Sequence, residues 1–352
     1  MITIDSKNAR IWSRLGPSGA VGAAALELAE SDDDVLMLTA DLCFFSGLER
    51  FREQHPDKLY NLGIAEQNMV GVAGGLAKEG FIPFVNTYAS FCASRCADQV
   101  RVNMAYMKLP IKMLGLTAGY GAGILGATHM SVEDIAFMRS LPNITILSPA
   151  DCVEVIKCMM AAAKTKEPTY IRLSGPVNTP IIYKEDYKFE IGKAITLRTG
   201  TDVCILATGS MVSQALKAAD ILEEKSISCS VINVHTIKPL DEDIIEKASS
   251  THKLLVTAEE HSIYGGLGSA VSELVSGMNT HAPLDIIGIK DLFVKPGDYQ
   301  FQIERSGLTA EQIANRILDD LEAISKSGGG YYAYLSNVVV PYIERQVYGY
   351  AA

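Results

Sequence analysis

The sequence predicts an α/β protein built from two doubly wound domains. Three observations support this prediction: short apolar runs alternate with helical patterns, a polar stretch over 183–193 interrupts the alternation, and the alternation then begins again. Alternation of this kind indicates mostly parallel sheets with helices on both faces. We place the first domain at residues 1–185, a linker at 186–200 and the second domain at 201–325.

The elements of the first domain follow from apolar runs and from polar residues at helix starts. Strands are predicted at Val35–Thr39, Phe81–Asn86, Ile111–Leu116, Ile144–Leu147 and Thr169–Leu173. Helices are predicted at Gly19–Glu30, Gln67–Lys78, Ser90–Met107, Ser131–Arg139 and Cys152–Ala163. Ser131, followed three residues later by Asp134, is a typical helix start, and so is the combination of Pro149 and Asp151.

The second domain repeats the pattern. Strands are predicted at Asp202–Ala207, Cys229–Val234, Lys253–Ala258 and Leu284–Gly288, and helices at Met211–Glu223, Asp241–Ala248, Leu267–Ser276 and Thr309–Ile324. Residues 326–352 are a glycine-rich linker and a tail rich in Tyr and Val. The tail is too short to fold by itself; it could dock on the body of the protein or on a partner, and it could equally be an added appendage.

The composition is that of a globular protein. The chain has 352 residues, 48% of them hydrophobic and 20% charged, and a formal net charge of −10. Because the sequence has no basic cluster, we expect neither a nucleic-acid partner nor binding to an anionic membrane surface. The N-terminus lacks a signal-peptide pattern, and no run approaches the ~20 apolar residues of a membrane span. We therefore expect a cytoplasmic protein.

Seven cysteines are scattered along the chain, and none forms a Cys-x-x-Cys pair. An odd number of cysteines without metal-ligand spacing indicates reduced, mostly buried thiols. Cys92 and Cys96 are four residues apart on a predicted helix, and core packing explains them better than metal binding does.

Glu66 is the most informative residue of the first domain. It lies between Ile64 and Val70, in an apolar stretch that we expect to be buried, at the start of a helix with several glycines. An acid at a helix start is often a surface group stabilised by the helix dipole. A carboxyl group shielded from water can instead stay protonated near neutrality and donate a hydrogen bond to a heteroaromatic nitrogen.

A glycine-rich loop over 119–129 is predicted at the carboxyl end of a strand, where α/β sheets bind ligands. The loop ends in His129, just before the helix start at Ser131. Its glycine spacing differs from the dinucleotide-binding fingerprint, and the chain has no Gly-Lys-Ser/Thr phosphate loop. His129 is therefore a candidate for substrate contact, and a structural role is the alternative.

Three further sets of residues are weaker candidates. Tyr88 and Phe91 are either core residues or walls for a flat ring. Arg95 and Asp98 could pair with each other, because they lie three positions apart on one predicted helix. In the second domain, the start of the helix after Leu206 could bind an anion, but we interpret this segment and His261 as structural.

Four segments of the sequence resemble a known family. The strings "YNLGIAEQNMVGVAGGLA", "GATHMSVEDIAFMRSLPNITILSPAD", "ATGSMVSQALKAA" and "EEHSIYGGLGSAVSEL" are similar to the C-terminal half of transketolase. The resemblance covers the pyrimidine-binding and C-terminal domains of that family. It implies two α/β domains and a thiamine diphosphate-dependent activity.

The resemblance also implies roles for individual residues toward the cofactor. Glu66 matches the glutamate that hydrogen-bonds the aminopyrimidine ring and promotes the tautomer that activates the cofactor. Tyr88 and Phe91 match the positions that flank this ring. Ile64 matches the bulky residue that supports the bent shape of the cofactor, and Asp41 matches an acid close to it.

The motif that holds the diphosphate is absent from the sequence. In the family, a Gly-Asp-Gly…Asn motif in the other half of the fold binds the diphosphate through a metal ion, whereas here Gly297-Asp298 is followed by Tyr299. The resemblance therefore implies a separate N-terminal subunit that binds the diphosphate with Mg²⁺ or Ca²⁺. We expect a heterotetramer with two copies of each subunit and active sites between chains.

Two arginines that bind sugar phosphates in the family have no counterpart here. The first of these arginines is missing from the stretch Gly16–Gly19, and Arg10 or Arg14 could replace it only out of register. The second arginine is missing from Leu173–Gly175. Because a hydrogen bond to a charged group contributes about 1.5–3 kcal/mol, these losses should weaken phosphate recognition.

A third departure concerns the donor substrate. Ile124 and Leu125 replace the acidic pair that precedes Gly-x-Thr-His in the family, where the second acid contacts a hydroxyl of the ketose donor. His129, on the same loop, matches a histidine that faces the substrate. An apolar Leu125 suits a methyl group better than a hydroxyl. We therefore expect a substrate other than the usual sugar phosphates, for example a 2-oxo acid such as pyruvate.

Three other interpretations are open. The β chain of a 2-oxo acid dehydrogenase has the same two domains and cofactor, although the Gly-x-Thr-His and Leu-Pro-Asn strings favour transketolase. A non-catalytic member of the fold is disfavoured by the presence of Glu66 and His129. A small-molecule binding module without chemistry is the third.

Overall fold

The computed structural model describes residues 2–326 and contains two mostly parallel sheets flanked by helices. The predicted α/β class is confirmed. The strands are β1 (Val35–Thr39), β2 (Leu59–Asn61), β3 (Ile82–Tyr88), β4 (Lys112–Ala118), β5 (Thr145–Leu147), β6 (Thr169–Ser174), β7 (Ile195–Arg198), β8 (Val203–Ala207), β9 (Cys229–Asn233), β10 (Thr236–Lys238), β11 (Leu254–Ser262) and β12 (Leu284–Ile289).

The helices lie between these strands and cover both faces of each sheet. They are α1 (Ser6–Ser31), α2 (Glu49–Gln54), α3 (Glu66–Lys78), α4 (Ala97–Gln99), α5 (Asp134–Ser140), α6 (Cys152–Ala163), α7 (Met211–Glu223), α8 (Glu242–Thr251), α9 (Leu267–Val275), α10 (Tyr299–Arg305) and α11 (Ala310–Lys326). Lys326, the first residue of the predicted glycine-rich linker and tail, is the last residue of α11, and the remainder of that segment lies outside the described residues.

The first sheet has the strand order β10-β5-β6-β4-β3-β1-β2. Its neighbouring strands are parallel except for β10, and Met37 on β1 pairs with Phe84 on one side and Leu59 on the other. Strands β1, β4, β5 and β6 are buried along almost their whole length, as expected for a sheet covered on both faces. The carboxyl ends of β1, β3 and β4 therefore meet at one edge, where the loops of the candidate site begin.

The second sheet has the order β12-β11-β8-β9-β7, and only β7 runs antiparallel to its neighbour within it. Strand β7 lies inside the predicted linker at 186–200. Its four residues are only partly buried or exposed, so they carry no strong apolar signal. The antiparallel pairing with β9 decides their conformation.

Strand β10 connects the two domains. It follows β9 of the second sheet after a short break, yet it pairs antiparallel with β5 of the first sheet, with Thr236 opposite Leu147. The second domain thus provides the edge strand of the first sheet. This three-residue strand has no sequence pattern of its own, and the apolar runs do not predict it.

Helix α1 begins at Ser6, where Asp5 caps it, rather than at Gly19 as predicted. Gly16, with φ of +75°, interrupts the helical backbone, and Pro17 follows it. Pro17 fits at this point because the first residues of a helix have no intrahelical partner for their N–H groups. The Gly-Pro pair therefore marks a kink between two helical parts and not the beginning of the helix.

The predicted helix Ser90–Met107 is mostly π-helical. Phe91–Arg95 and Val100–Tyr106 form π-helical segments on either side of α4. In the first segment the N–H of Cys96 donates to the carbonyl of Phe91, five residues back. Each such turn contains an extra residue, which changes the direction of the side chains that follow it.

The predicted helix start at Ser131 is wrong, whereas the start at Asp151 is confirmed. Helix α5 begins at Asp134, and Ser131 instead exchanges backbone hydrogen bonds with Gly119 across the base of the glycine-rich loop. Asp151 caps α6, because its carboxylate accepts a hydrogen bond of 2.9 Å from the N–H of Glu154.

The interior is apolar and continuous between the domains. One cluster joins Leu38 and Val85 of the first sheet with Leu206 and Leu255 of the second. All seven cysteines are buried, as predicted. Within residues 2–326, no helix combines the length and the apolar character needed to cross a membrane.

Candidate active site

Glu66 is the first residue of α3, and its side chain is 3% exposed. Met69 and Val70, one turn further along the helix, are buried in the core and hold this end of α3 against the sheet. Ala65 at the N-cap position provides no side-chain hydrogen bond. A carboxylate is favoured at this position by the helix dipole and by the free N–H groups of the first turn.

The Glu66 carboxylate is paired with Arg95. Nη1 of Arg95 donates to Oε1 of Glu66 at 2.8 Å, so Arg95 pairs with this acid and not with Asp98, the partner that the sequence spacing would allow. The guanidinium also lies over the ring of Phe91, with Cζ 3.7 Å from the ring centroid. Gln67 supports the backbone of this partner, because its Nε2 donates to the carbonyl of Arg95 at 3.1 Å.

Tyr88, Phe91 and His129 form an aromatic cluster beside this ion pair. Their ring centroids are 5.7 Å apart for Tyr88 and Phe91, 5.4 Å for Tyr88 and His129, and 5.3 Å for Phe91 and His129, all with edge-to-face geometry. Tyr88 ends β3 and His129 lies in the loop after β4, so the parallel pairing of these strands brings the rings together. Burial raises the pKa of the Tyr88 hydroxyl.

The loop of His129 also carries Leu125. Residues Gly123–Leu125 form a single 3₁₀ turn in which Leu125 is 50% exposed. Oγ1 of Thr128 lies 2.9 Å from Nδ1 of His129 and also donates to the carbonyl of Leu125 at 3.4 Å. Thr128 therefore links the two candidate substrate-contacting residues of the loop.

Two further candidate residues, Asp41 and Ile64, lie on segments that Asn61 links. The side-chain amide of Asn61 donates to the carboxylate of Asp41 at 3.0 Å, and its oxygen accepts from the N–H groups of Asp41 and Gly63. Asp41 has a positive φ of 62°, a conformation that short polar residues tolerate. Ile64, which the apolar context predicts to be buried, is 77% exposed.

Residues of both domains fix the ends of the glycine-rich loop. Oε1 of Glu260, a buried residue of β11, accepts a hydrogen bond from the N–H of Tyr120, and Oε2 accepts from the hydroxyls of Tyr299 and Ser210. Nη2 of Arg172 donates to the carbonyl of Glu260 at 2.8 Å and to that of Ser131 at 3.3 Å. Burial raises the pKa of Glu260, and these donors oppose that effect.

Sequence reasoning missed Glu260 and Arg172, although a signal exists for the first. Glu259 and Glu260 are two acids at the end of an apolar strand, which is the same kind of signal that identifies Glu66. A charged residue within a run that is otherwise apolar is uncommon in a core unless it has a partner. The run around Glu260 is therefore the signal from which a buried, hydrogen-bonded acid could have been predicted.

The structural interpretation of the second-domain candidates agrees with their contacts. Ser210, just before α7, bonds Glu260. His261 is buried, accepts from the N–H of Ala136, and has its pKa lowered by burial to about 4. Both residues thus support the loop and its surroundings from within the protein.

The groups gathered at this site are an acid, a guanidinium and aromatic rings. Across residues 2–326, no three His, Cys, Asp or Glu residues are grouped closely enough to hold a metal ion. A planar guanidinium already makes two contacts at once, a hydrogen bond to Glu66 and stacking on Phe91. The same two contacts fit a nitrogen-containing aromatic ring such as an aminopyrimidine.

Comparisons with known proteins identify the family. The transketolase pyrimidine-binding domain matches residues 17–176, and the transketolase C-terminal domain matches residues 192–313. Both are transketolase domains, which supports the transketolase interpretation over that of a 2-oxo acid dehydrogenase. A pyrimidine-binding domain implies thiamine diphosphate as the cofactor.

Individual relatives agree with this assignment. The 6-deoxy-6-sulfo-D-fructose transketolase subunit SqwH of Clostridium sp. (strain MSTE9) is 41% identical over 288 residues, which cover 82% of this chain and 89% of the relative. One of the subunits of the apulose-4-phosphate transketolase of Phocaeicola vulgatus is 38% identical over 295 residues, which cover 84% of this chain and 94% of the relative.

A solved structure described as a split gene transketolase, inactive beta4 tetramer, matches with a TM-score of 0.77 at 34% identity, covering 90% of this chain and 98% of that one. The resemblance predicted from the sequence motifs is therefore confirmed. The chain belongs to the transketolase family, in which it corresponds to the C-terminal subunit of a split, thiamine diphosphate-dependent transferase.

Proposed function

We propose that this chain and a separate N-terminal subunit together form a transketolase-like enzyme that transfers a two-carbon ketol or acyl unit to an aldehyde or ketone. The partner would hold the diphosphate of thiamine diphosphate with Mg²⁺ or Ca²⁺, and this chain would hold the pyrimidine ring. We further propose a heterotetramer with two copies of each subunit. Both relatives described above are named as transketolase subunits, which supports a partner.

The observation that carries the proposal is that Glu66 and Phe91 both contact one flat, N–H-bearing group, the Arg95 guanidinium, while the Tyr88 ring packs against that of Phe91. Glu66 would hold a proton between its carboxylate and a ring nitrogen, while Phe91 and Tyr88 would fix the plane of the ring. When bound, the cofactor supplies a carbon nucleophile for carbonyl substrates. Ile64, exposed two positions before Glu66, would support the cofactor, and Asp41 would lie close to it.

The exposed apolar residues at this edge of the sheet support a site that is completed by another chain. Phe44, Phe45, Ile64 and Ile124 are all more than half exposed and follow β1, β2 and β4. Large apolar side chains clustered at the mouth of a site are typical of surfaces that a protein partner covers.

For the substrate we propose a donor other than the usual sugar phosphates. His129 would hydrogen-bond the substrate or shuttle a proton at its oxygen, and Leu125 would contact the donor two-carbon unit. Because the Leu125 side chain offers no hydrogen bond, it favours a methyl group over a hydroxyl group, as in a 2-oxo acid such as pyruvate. The relatives described above are named for a sulfosugar and for a sugar phosphate, so the substrates named within the family differ.

Two experiments test the proposal. The chain is co-purified with the product of the neighbouring gene, and thiamine diphosphate is titrated into each protein alone and into the mixture, with Mg²⁺ present. We expect tight binding only in the mixture. Steady-state assays then compare pyruvate with xylulose 5-phosphate as donor. Tight binding by this chain alone would contradict the shared site, and efficient turnover of xylulose 5-phosphate with pyruvate inert would contradict the proposed donor.

A further inference from the structure

We propose that Arg95 is an internal placeholder for the cofactor: in the free chain its guanidinium occupies the contacts of the pyrimidine ring, and cofactor binding displaces it. This inference rests on the proposed function, which assigns Glu66 and Phe91 to the ring. Both residues are engaged by the same side chain, at 2.8 Å from Nη1 to Oε1 of Glu66 and 3.7 Å from Cζ to the centroid of Phe91.

The chemistry of the two groups explains why one can replace the other. A guanidinium is planar, carries N–H donors in its plane and stacks on aromatic faces. An aminopyrimidine is also planar, with an amino group and ring nitrogens in its plane. A ligand that stacks on the same face of Phe91 and hydrogen-bonds Oε1 of Glu66 therefore takes the volume that the Arg95 guanidinium fills.

Burial explains why a placeholder is needed. The Glu66 side chain is 3% exposed, and an ionised carboxylate at that depth is costly without a partner. Among residues 2–326, Arg95 is the basic residue within salt-bridge distance of Glu66. The pair thus stabilises the buried acid until another partner for the carboxylate binds.

The geometry also allows Arg95 to leave. Its side chain is 45% exposed, so the guanidinium can turn into solvent and be hydrated there. The backbone of Arg95 is held separately, because its carbonyl accepts from Nε2 of Gln67 at 3.1 Å. Displacement therefore requires a change of side-chain rotamers and no rearrangement of the π-helical turn at Phe91–Arg95.

The test measures thiamine diphosphate affinity in the complex with the partner, with Mg²⁺ present, by isothermal titration calorimetry. Arg95→Met removes the competing group and keeps an unbranched side chain. We expect the Kd for thiamine diphosphate to fall at least about fivefold, because the cofactor no longer displaces a charged hydrogen bond. Arg95→Lys keeps the charge without the flat stack and should give an intermediate Kd.

Arg101→Met is the matched control, since Arg101 is exposed on the same helical run, and it should leave the Kd unchanged. The effect of Arg95→Met should also shrink in a Glu66→Gln background, where the carboxylate is gone. An unchanged or higher Kd for Arg95→Met would overturn the placeholder and would show that Arg95 instead supports Glu66 in the loaded site.

A second measurement needs no cofactor. In the isolated full-length chain, Arg95→Met should lower the Tm by about 2–4 °C, and the loss should be smaller when Glu66 is already Gln. Additive effects would overturn the inference. If the wild-type complex fails to bind thiamine diphosphate at all, the proposed function is wrong, whereas the coupling between Glu66 and Arg95 remains measurable and is judged separately.

Discussion

The N–H of Tyr120 donates a hydrogen bond of 2.5 Å to Oε1 of Glu260, and this bond ties the loop that carries Leu125 and His129 to the second domain. Glu260 belongs to β11 of the second sheet, whereas Tyr120 follows β4 of the first. The C-terminal domain therefore has a direct structural influence on a loop that we assign to the substrate.

Weakening this link should affect substrate binding more than cofactor binding. Glu260→Gln keeps an acceptor for Tyr120 but loses the second carboxylate oxygen, which accepts from the hydroxyls of Ser210 and Tyr299. We expect the donor KM to rise about tenfold while the Kd for thiamine diphosphate is unchanged. Tyr299→Phe removes one donor and should have a smaller effect. An equal loss of affinity for cofactor and substrate would indicate general destabilisation.

A glycine beside Glu260 provides a second test. Gly119 has φ of +65°, and a Cβ there would lie 2.3 Å from Oε1 of Glu260, whereas Gly307 has φ of +74° and open space around it. Gly307→Ala should cost about 1–2 kcal/mol in the free energy of unfolding, the strain of an L-residue in that conformation. Gly119→Ala should cost more and also lower kcat/KM. Equal costs in urea unfolding, with activity retained, would show that the contact tolerates a methyl group.

Glu66 should be indispensable for turnover if it holds the pyrimidine ring. Glu66→Gln preserves the shape but removes the proton-exchanging group, so kcat should fall by at least about 100-fold. Glu79→Gln, an exposed change at the other end of α3, should be neutral. Circular dichroism and co-purification with the partner check folding. Activity within about twofold of wild type in Glu66→Gln would leave the residue without a catalytic role.

Leu125 should control the choice of donor. Leu125→Asp introduces an acid where the sequence has an apolar residue, and we expect the ratio of kcat/KM for a hydroxylated ketose over pyruvate to rise about tenfold. Leu125→Met, which conserves volume and polarity, should keep the preference of the wild type. The measurement is a competition assay with both donors. A ratio that does not change would place Leu125 away from the donor.

The stability of the isolated chain should fall as the pH rises toward neutrality. Burial raises the pKa of Glu154 to about 7, above the value of this carboxyl group in the unfolded chain. The protonated Glu154 therefore contributes its full stabilisation below about pH 4, and this contribution is lost as the pH rises through about 7. Glu154→Gln should flatten the pH dependence of urea unfolding between these limits by about 1–3 kcal/mol.

Glu53→Gln, a change at an exposed residue, is the control and should leave the pH dependence of the free energy of unfolding unchanged. Burial raises the pKa of Glu259 to about 7 as well, so a residual slope is expected in Glu154→Gln. A wild-type free energy of unfolding that is constant or rises between pH 4 and 7 would contradict the prediction.

The sequence is sufficient to predict those parts of the fold and of the candidate site that depend on local patterns. The buried strands of both sheets, the helix start at Asp151 and the grouping of Tyr88 with Phe91 follow from apolar runs, capping residues and spacing. The pairing of Arg95 with Glu66 is not accessible in this way, because local spacing points to Asp98. A π-helical turn after Phe91 and a distant helix decide that contact, and neither has a local signature.

Strand β10 could not be predicted from the sequence for a related reason. Its residues, Thr236–Lys238, have no periodicity of their own, and their conformation is decided by the free edge of β5, which lies far away in the sequence. The role of Asn61 could not be predicted either, because this residue bridges two loops, one of which contains Asp41. Long-range hydrogen bonds of this kind appear only when the fold is known.

The borrowed edge strand has a practical consequence for anyone dividing this protein into fragments. A gene fragment that stops at residue 185 would lack Thr236–Lys238 and leave the backbone of β5 unpaired, ready to recruit strands from neighbouring molecules. Such a fragment should precipitate or form aggregates, whereas one extended past Pro239 would keep that border covered. A fragment that carries the complete first sheet therefore has to include residues beyond the first domain.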